Sequence, residues 1–175
     1  MSAGLGYWIG LGANIGDRWD GLRRAVDAIA AAGATIEACS SAYETAPRER
    51  IDQPAFLNAV VRARSPLTPP ELLAAVKRIE RDLGRDPGGP RFGPRVIDCD
   101  LLMWEGGGWE APDLQIPHPR LAERRFALVP LIELDPHLVL PGGATVTEAE
   151  ARLDAADQDV RRARDPRWPP PAPRA

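Results

Sequence analysis

Two amphipathic helical patterns, each led into by an apolar strand run and each stopped by a glycine, constrain this chain more than anything else in it. In the first, Asp17 stands at the cap of a run in which Leu22, Val26 and Ile29 share one face, and Gly33 offers the left-handed backbone that ends a helix. In the second, Thr68 and Glu71 hold capping-box spacing and Pro69 takes the first helical position. Leu72, Leu73, Val76, Ile79 and Leu83 form its buried stripe before Gly84. YWIGLG (7–12) is a strand run ahead of the first helix. Residues 35–43 alternate as one strand, with Ile36, Ala38, Ser40 and Ala42 on one side. Residues 56–64 form another, with Leu57, Ala59, Val61 and Ala63 opposite Phe56, Asn58, Val60 and Arg62. VIDCDLLMW (96–104) is the fourth.

Strand, helix, strand, strand, helix, strand is the ferredoxin-like βαββαβ order of an α+β fold. It predicts an antiparallel sheet with both helices on one face and the other face left to loops. C-terminal additions follow: a partly helical section over 114–134 and a short edge strand over 137–143. The loops 44–55 and 85–94 are rich in Pro, Gly and charge, and both are expected on the surface. A single domain over 1–160 is expected, with 161–175 a Pro/Arg-rich tail lacking fixed structure.

A formal net charge of −3 gives no basic footprint for nucleic acid. Cys39 and Cys99 are far apart and sit in apolar runs, so they read as buried thiols. The N-terminus has no signal-peptide pattern, and no apolar stretch approaches the roughly 20 residues of a membrane span. A cytoplasmic protein is expected. Only Lys77 among the 22 basic residues is lysine, so one arginine by itself says little about phosphate binding.

Position carries more weight. In the fourth strand Ile97, Cys99, Leu101 and Met103 are expected to face the helices, which leaves Asp98 and Asp100 together on the other face, about 7 Å apart at their origins. A bare D-x-D fits a wet face or pairing with arginine. It also fits Mg²⁺, which takes hard oxygen ligands and completes its shell from water and phosphates. The company favours the metal: Arg85, Arg91 and Arg95 lie just upstream, and the spacing of Arg95 and Asp98 leaves them free not to neutralise each other. Carboxylates beside arginines on a Gly/Pro loop suit a polyphosphate. His118 in IPHPR, with Arg124 six residues on, reads either as an idle loop histidine or as part of that site. Phe56 and Phe126 read as core residues or as a clamp on a flat ring, and Asn58 beside Phe56 has the donor and acceptor to read a heteroaromatic edge. GLGANIG (10–16) lacks the Lys-Ser/Thr of a Walker motif, and its outer glycines read as turn residues.

Taken together, IGLGANIGDR, YETAP, DQPAFLNAV, ELLAAVKRIERDLGR, RFGPRVIDCDLL and IPHPRLAERRFALVPLIEL resemble the 6-hydroxymethyl-7,8-dihydropterin pyrophosphokinase family, in family order over about residues 7–141. The resemblance implies transfer of pyrophosphate from ATP to the hydroxymethyl group of the reduced pterin, release of AMP, and two Mg²⁺ ions on Asp98 and Asp100. It implies pterin contacts from Thr45, Asn58, Phe56 and Phe126. It implies catalytic or phosphate contacts from Arg85 and Arg95, and nucleotide contacts from Glu80, His118 and Arg124. Some relatives carry tryptophan where Phe92 stands and tyrosine where Phe56 stands. Lys77 is given little weight, and no general base is assigned. The expected partners are the two small-molecule substrates, with no nucleic acid and no membrane, acting on a monomer. The rival readings are a Mg²⁺-dependent nucleotidyltransferase, which would release pyrophosphate rather than AMP, and a non-catalytic binding module, which has no need of both aspartates.

Overall fold

In the computed structural model, which describes residues 4–48, 52–86, 88–89 and 93–170, the first strand β1 (Leu5–Ala13) lies inside a six-stranded sheet. Helix α1 (Arg18–Ala31) follows, its Asp17 cap accepting from the Asp20 amide and Gly33 taking φ +94°. Then come β2 (Thr35–Cys39), β3 (Ala42–Thr45), β4 (Phe56–Ser65), α2 (Pro69–Asp82) and β5 (Asp98–Trp104). The path across the sheet is β5-β1-β4-β3, with β2 and β3 pairing the same neighbour in turn, and every pairing is antiparallel. This is the ferredoxin-like order that the sequence predicts. The capping box of Thr68 and Glu71 is formed. One face carries the main core: Leu22, Val26 and Ile29 of α1 and Leu72, Val76 and Ile79 of α2 pack on Ile9, Leu11, Leu57, Val61, Cys99 and Leu101.

The expected single strand over 35–43 is two strands. Ser40 interrupts it: its Oγ accepts from the Val60 amide at 2.9 Å and donates to the Ser41 carbonyl at 2.7 Å. Cys39 pairs with Val61 and Tyr43 with Asn58, so three residues face two across the ladder, a bulge made where a hydroxyl competes with backbone pairing.

The second sheet face is not left to loops alone. The hairpin β6 (Trp109–Ala111) and β7 (Leu114–Ile116), which the sequence reading missed, leads through a 3-10 turn (Leu121–Glu123) into α3 (Arg125–Leu134) and α4 (Val146–Ala151). Leu121, Leu128, Leu131 and Val146 bury Trp8, Val60, Leu102 and Met103 there. Met103 was expected to face α1 and α2. A register shift, with Trp8 opposite Met103 but Ile9 opposite Leu101, turns it to the α3 side. Residues 137–143 give one isolated bridge, Val139 to Thr145, because Gly142 and Gly143 both take positive φ and turn the chain away.

The tail is the largest departure. Residues 160–163 form β8 (Val160–Ala163), which pairs with β3 and extends the sheet. Beyond it Trp168 is 9% exposed, and its indole N–H donates to the Ser40 carbonyl at 2.9 Å. Arg167 meets Asp17 at 2.7 Å. The Pro/Arg composition suggested a solvated chain, but one tryptophan and a free sheet edge anchor residues 160–170. Residues 171–175 lie outside the described residues, as do Arg91, Phe92 and parts of both loops (49–51, 87, 90–92). Among the described residues no helix is long and apolar enough to cross a membrane.

Candidate active site

Where α3 stops covering the second face, β1, β4 and β5 floor a cavity of about 290 Å³. Asp98 and Asp100 both line it, as alternation along β5 requires. Gly84, at φ +100°, ends α2 and sends Arg85 across the strand ends. Arg85 Nη1 donates to Asp98 Oδ1 at 2.6 Å, and Arg95 Nη1 donates to Asp98 Oδ2 at 2.6 Å. Arg95 and Asp98 were expected not to neutralise each other. They pair because β5 begins only at Asp98, so the bent approach at 95–97 turns the Arg95 side chain back.

Behind this wall lies Glu80, 2% exposed. It accepts from Lys77 Nζ at 2.8 Å and from the Cys99 amide at 2.7 Å, and it also pairs with Arg85. Glu80 was expected at the nucleotide. It is absent from the cavity wall, and its groups fix Arg85 and β5 instead. Lys77, given little weight in the sequence, does line the cavity.

The two aspartates differ in electrostatics. Burial raises the Asp98 pKa, but the nearby charges of Arg95, Arg85 and Lys77 outweigh it and leave the carboxyl below its usual range. Asp100 has Arg124 at 3.9 Å and feels the charge of Lys77, but burial followed by the charge of Asp98 outweighs both and pushes it up to about 6. An added cation would relieve that conflict. Among the described residues no three His, Cys, Asp or Glu side chains cluster to hold a metal by themselves. Two carboxylates open to a cavity nevertheless fit Mg²⁺, which takes one or two carboxylates and fills its shell from water and phosphate oxygens.

The opposite wall is apolar and amide-lined. Phe56 and Asn58 come from β4, Thr45 from β3 and Phe126 from the first turn of α3, and all four line the cavity. Asn58, 7% exposed, donates through Nδ2 to Thr45 Oγ1 at 2.7 Å. A Cβ at Gly12 would stand 3.0 Å from Asn58 Oδ1, so glycine there keeps the amide clear. Arg124 sits 5.7 Å from the centre of the Phe126 ring. His118 is fixed by its amide donating to the Leu102 carbonyl at 2.9 Å, and its Nδ1 accepts from the Arg120 amide at 3.1 Å. Burial, then Arg124 and Arg120, lowers its pKa to about 4, so the imidazole is neutral near pH 7.

Every residue singled out for catalysis, metal or substrate therefore lies on this cavity, except Glu80. Gly10, Gly12, Arg48, Gln53 and Arg120 also line it and were not assigned to it. Gly10 was read as a turn residue but lies inside β1, paired with Val60 and Asp100; alternate glycines inside a strand mark a close approach. The other three sit on loops or turns whose path no periodicity reveals.

The family model for 7,8-dihydro-6-hydroxymethylpterin-pyrophosphokinase matches residues 8–136. A Methylorubrum extorquens protein named 2-amino-4-hydroxy-6-hydroxymethyldihydropteridine pyrophosphokinase is 47% identical over 148 residues, covering 84% of this chain and 92% of that one. A Bacillus subtilis protein of the same name is 44% identical over 73% of this chain and 76% of its own. A Pisum sativum protein, the mitochondrial folate synthesis bifunctional protein, is 46% identical over 72% of this chain, which spans only 24% of its length. A solved structure described as HPPK-DHPS in complex with substrates superposes with a TM-score of 0.66 over 86% of this chain and 43% of that one. At 12% identity that likeness is one of fold.

Proposed function

The chain belongs to the 7,8-dihydro-6-hydroxymethylpterin-pyrophosphokinase family, and from that premise we propose that it transfers pyrophosphate from ATP to the hydroxymethyl group of 6-hydroxymethyl-7,8-dihydropterin in folate synthesis. The hydroxymethyl oxygen attacks the β-phosphorus, the bond from that phosphorus to the α,β-bridging oxygen breaks, and AMP leaves with that oxygen. One observation carries the reading: a single cavity sets Asp98, Asp100, Arg85, Arg95 and Arg124 against Phe56, Asn58, Thr45 and Phe126. One half suits polyphosphate and the other a flat, hydrogen-bonding ring.

Asp98 and Asp100 would hold two Mg²⁺ ions, which when bound neutralise charge gathering on the phosphate oxygens. Arg85 and Arg95 each spend one nitrogen on Asp98, and a guanidinium has further N–H groups to offer phosphate. His118 and Arg124 serve the nucleotide side. Glu80 positions Arg85 and does not touch ATP. Thr45 takes one N–H of Asn58, which leaves the second N–H and the Oδ1 to read the pterin edge. Phe56 and Phe126 stack on the ring and so hold the hydroxymethyl group in line. The protein works as a cytoplasmic monomer on small molecules, and its catalytic unit includes residues 160–170.

The test is to supply ATP, Mg²⁺ and the hydroxymethyl dihydropterin and to measure nucleotide products. AMP is expected; free pyrophosphate without AMP would point to a nucleotidyltransferase. Asp98→Ala or Asp100→Ala should lower turnover by at least about 100-fold, the scale of losing a major electrostatic group at the reacting centre. Near-normal turnover in either variant overturns the assignment.

A further inference from the structure

Asn14, the polar centre of GLGANIG, does not line the cavity and is 2% exposed. It follows the last residue of β1, and its amide is fully used. Nδ2 donates to Gln53 Oε1 at 3.0 Å and to the Pro54 carbonyl at 3.1 Å. Oδ1 accepts from the Arg95 amide at 2.8 Å, and the Asn14 amide donates to the Arg95 carbonyl at 3.1 Å. Two of the three side-chain bonds run to backbone groups of fixed polarity, a carbonyl and an N–H, so the orientation of the amide is determined. The segments it joins are the approaches to the two halves of the site. Gln53 and Pro54 lead into Phe56 and Asn58; Arg95 leads into Asp98 and pairs with it.

We infer that Asn14 is a positioning residue for the proposed pyrophosphoryl transfer, holding the ring-binding wall and the phosphate-binding wall at a fixed separation through one buried amide. The chemistry demands asparagine. Two N–H donors and one acceptor must leave one planar group, which aspartate cannot supply because it only accepts. Asp at this position would keep the bond from the Arg95 amide and lose the bond to the Pro54 carbonyl, while the Gln53 amide would have to turn over to donate. It would also face the Pro54 carbonyl with a carboxylate. The ring-side arm would be released while the phosphate-side arm stays. Alanine would release both. In-line transfer is sensitive to such slack, since a misplacement of 1 Å costs about 100-fold in rate.

The inference rests on the pyrophosphokinase reading, and the experiment separates the two. Wild type, Asn14→Asp, Asn14→Ser and Asn14→Ala are assayed for AMP release with each substrate varied in turn, and turnover is expressed per folded molecule from a thermal melt. Hydrogen exchange at the Arg95 amide is followed in all four. Asn14→Asp should raise KM for the pterin about 10-fold with KM for ATP within about 3-fold, and it should leave the Arg95 amide protected. Asn14→Ser and Asn14→Ala should lower kcat about 10-fold or more and expose that amide. If Asn14→Asp does not fold, the serine variant alone decides by the same kcat and exchange criteria. Wild-type kcat and both KM values within about 2-fold in the folded variants would overturn the inference, as would losses fully explained by the unfolded fraction. A wild type that releases no AMP defeats the proposed function instead, and protection of the Arg95 amide by the Asn14 side chain is then still read directly.

Discussion

Trp168→Ala tests the feature that composition hid. The side chain is 9% exposed and packs in the same core as Ala42, Ala63 and Ile36. Its N–H bonds the Ser40 carbonyl at the break between β2 and β3. Removing a buried tryptophan costs about 3–5 kcal/mol through lost transfer energy and an unfilled cavity. For a chain of this size about 1 kcal/mol moves the midpoint by ~2–4 °C, so a fall of about 6–20 °C in a thermal melt is expected. Trp168→Phe keeps one six-membered ring and loses the N–H and the fused five-membered ring, and should cost about 1–3 kcal/mol, less than the alanine variant. The strap joins the sheet only at its β3 edge, so it can detach locally before the rest unfolds, and the loss saturates at its docking free energy. Truncation after residue 159 should therefore destabilise the protein by about as much as Trp168→Ala. A midpoint for Trp168→Ala within about 2 °C of wild type would mean that the strap contributes nothing to the core, and the argument from its burial would fail. Because β8 pairs with β3 up to Thr45, the same variants should also weaken pterin binding more than ATP binding.

Other outcomes follow from the buried charges. Glu80→Ala leaves the Cys99 amide without its acceptor and takes one partner each from Lys77, which keeps the Cys99 carbonyl, and Arg85, which keeps Asp98; with both cations partly exposed, the loss should be about 2–4 kcal/mol by urea unfolding. Glu80→Gln keeps an acceptor and should lose less than half of that, so equal losses would contradict the proposed division of labour. His118 has a folded pKa of about 4 against an unfolded value near 6.5, so the unfolded chain binds its proton first as pH falls. Its contribution is complete above about pH 6.5 and is lost toward pH 4; a resonance assigned to the His118 imidazole and titrating at about 6.5 in the folded protein would refute this. Cys99 is fully buried and burial raises its thiol pKa well above normal; Cys39, expected to be buried, is only partly so, yet burial still pushes it up to about 11. Both should resist a thiol reagent at pH 8 in the native state and react in denaturant, and fast native labelling of Cys99 would contradict its packing.

Much of this architecture could be read from the chain because local chemistry and global fold agree there. Asp17, Gly33, Thr68, Glu71 and Gly84 each do locally what the helices need, and the stripes of α1 and α2 meet strands whose alternation is clean. The failures have a common physical form: a period of two was extended through a residue that breaks it. Ser40 uses its hydroxyl against the ladder and splits one strand into two. The irregularity opposite Trp8 and Ile9 turns Met103 to the other face. No pattern of apolar residues announces either event, because a bulge is set by what the neighbouring strand requires. The tail failed for a different reason. Composition averages over a window, whereas anchoring there depends on one tryptophan and on a sheet edge more than 100 residues away in sequence.

The site divides along the same line. Asp98, Asp100, Phe56 and Asn58 could be placed from strand alternation, since their faces follow from period alone. Glu80 could not. On α2 it falls beside the buried stripe, where the period of the apolar residues gives no sign of burial, yet it is less exposed than Ile79. Its burial is tolerable only because Lys77, Arg85 and the Cys99 amide converge on it, and those come from the same helix, the loop after it and the facing strand. Arg95 was misjudged for a related reason: counting residues assumed an extended chain where the backbone bends. The arginines Arg85, Arg95 and Arg124 are thus placed by backbone that is neither helix nor strand, which is where periodicity has nothing to say. If that is right, substitutions that alter only the bends, at Gly84 above all, should disturb phosphate binding without touching a charged group. Gly84→Ala, forced to φ +100°, is expected to raise KM for ATP while leaving KM for the pterin within about 2-fold. An unchanged KM for ATP would show that Arg85 finds Asp98 without help from that turn.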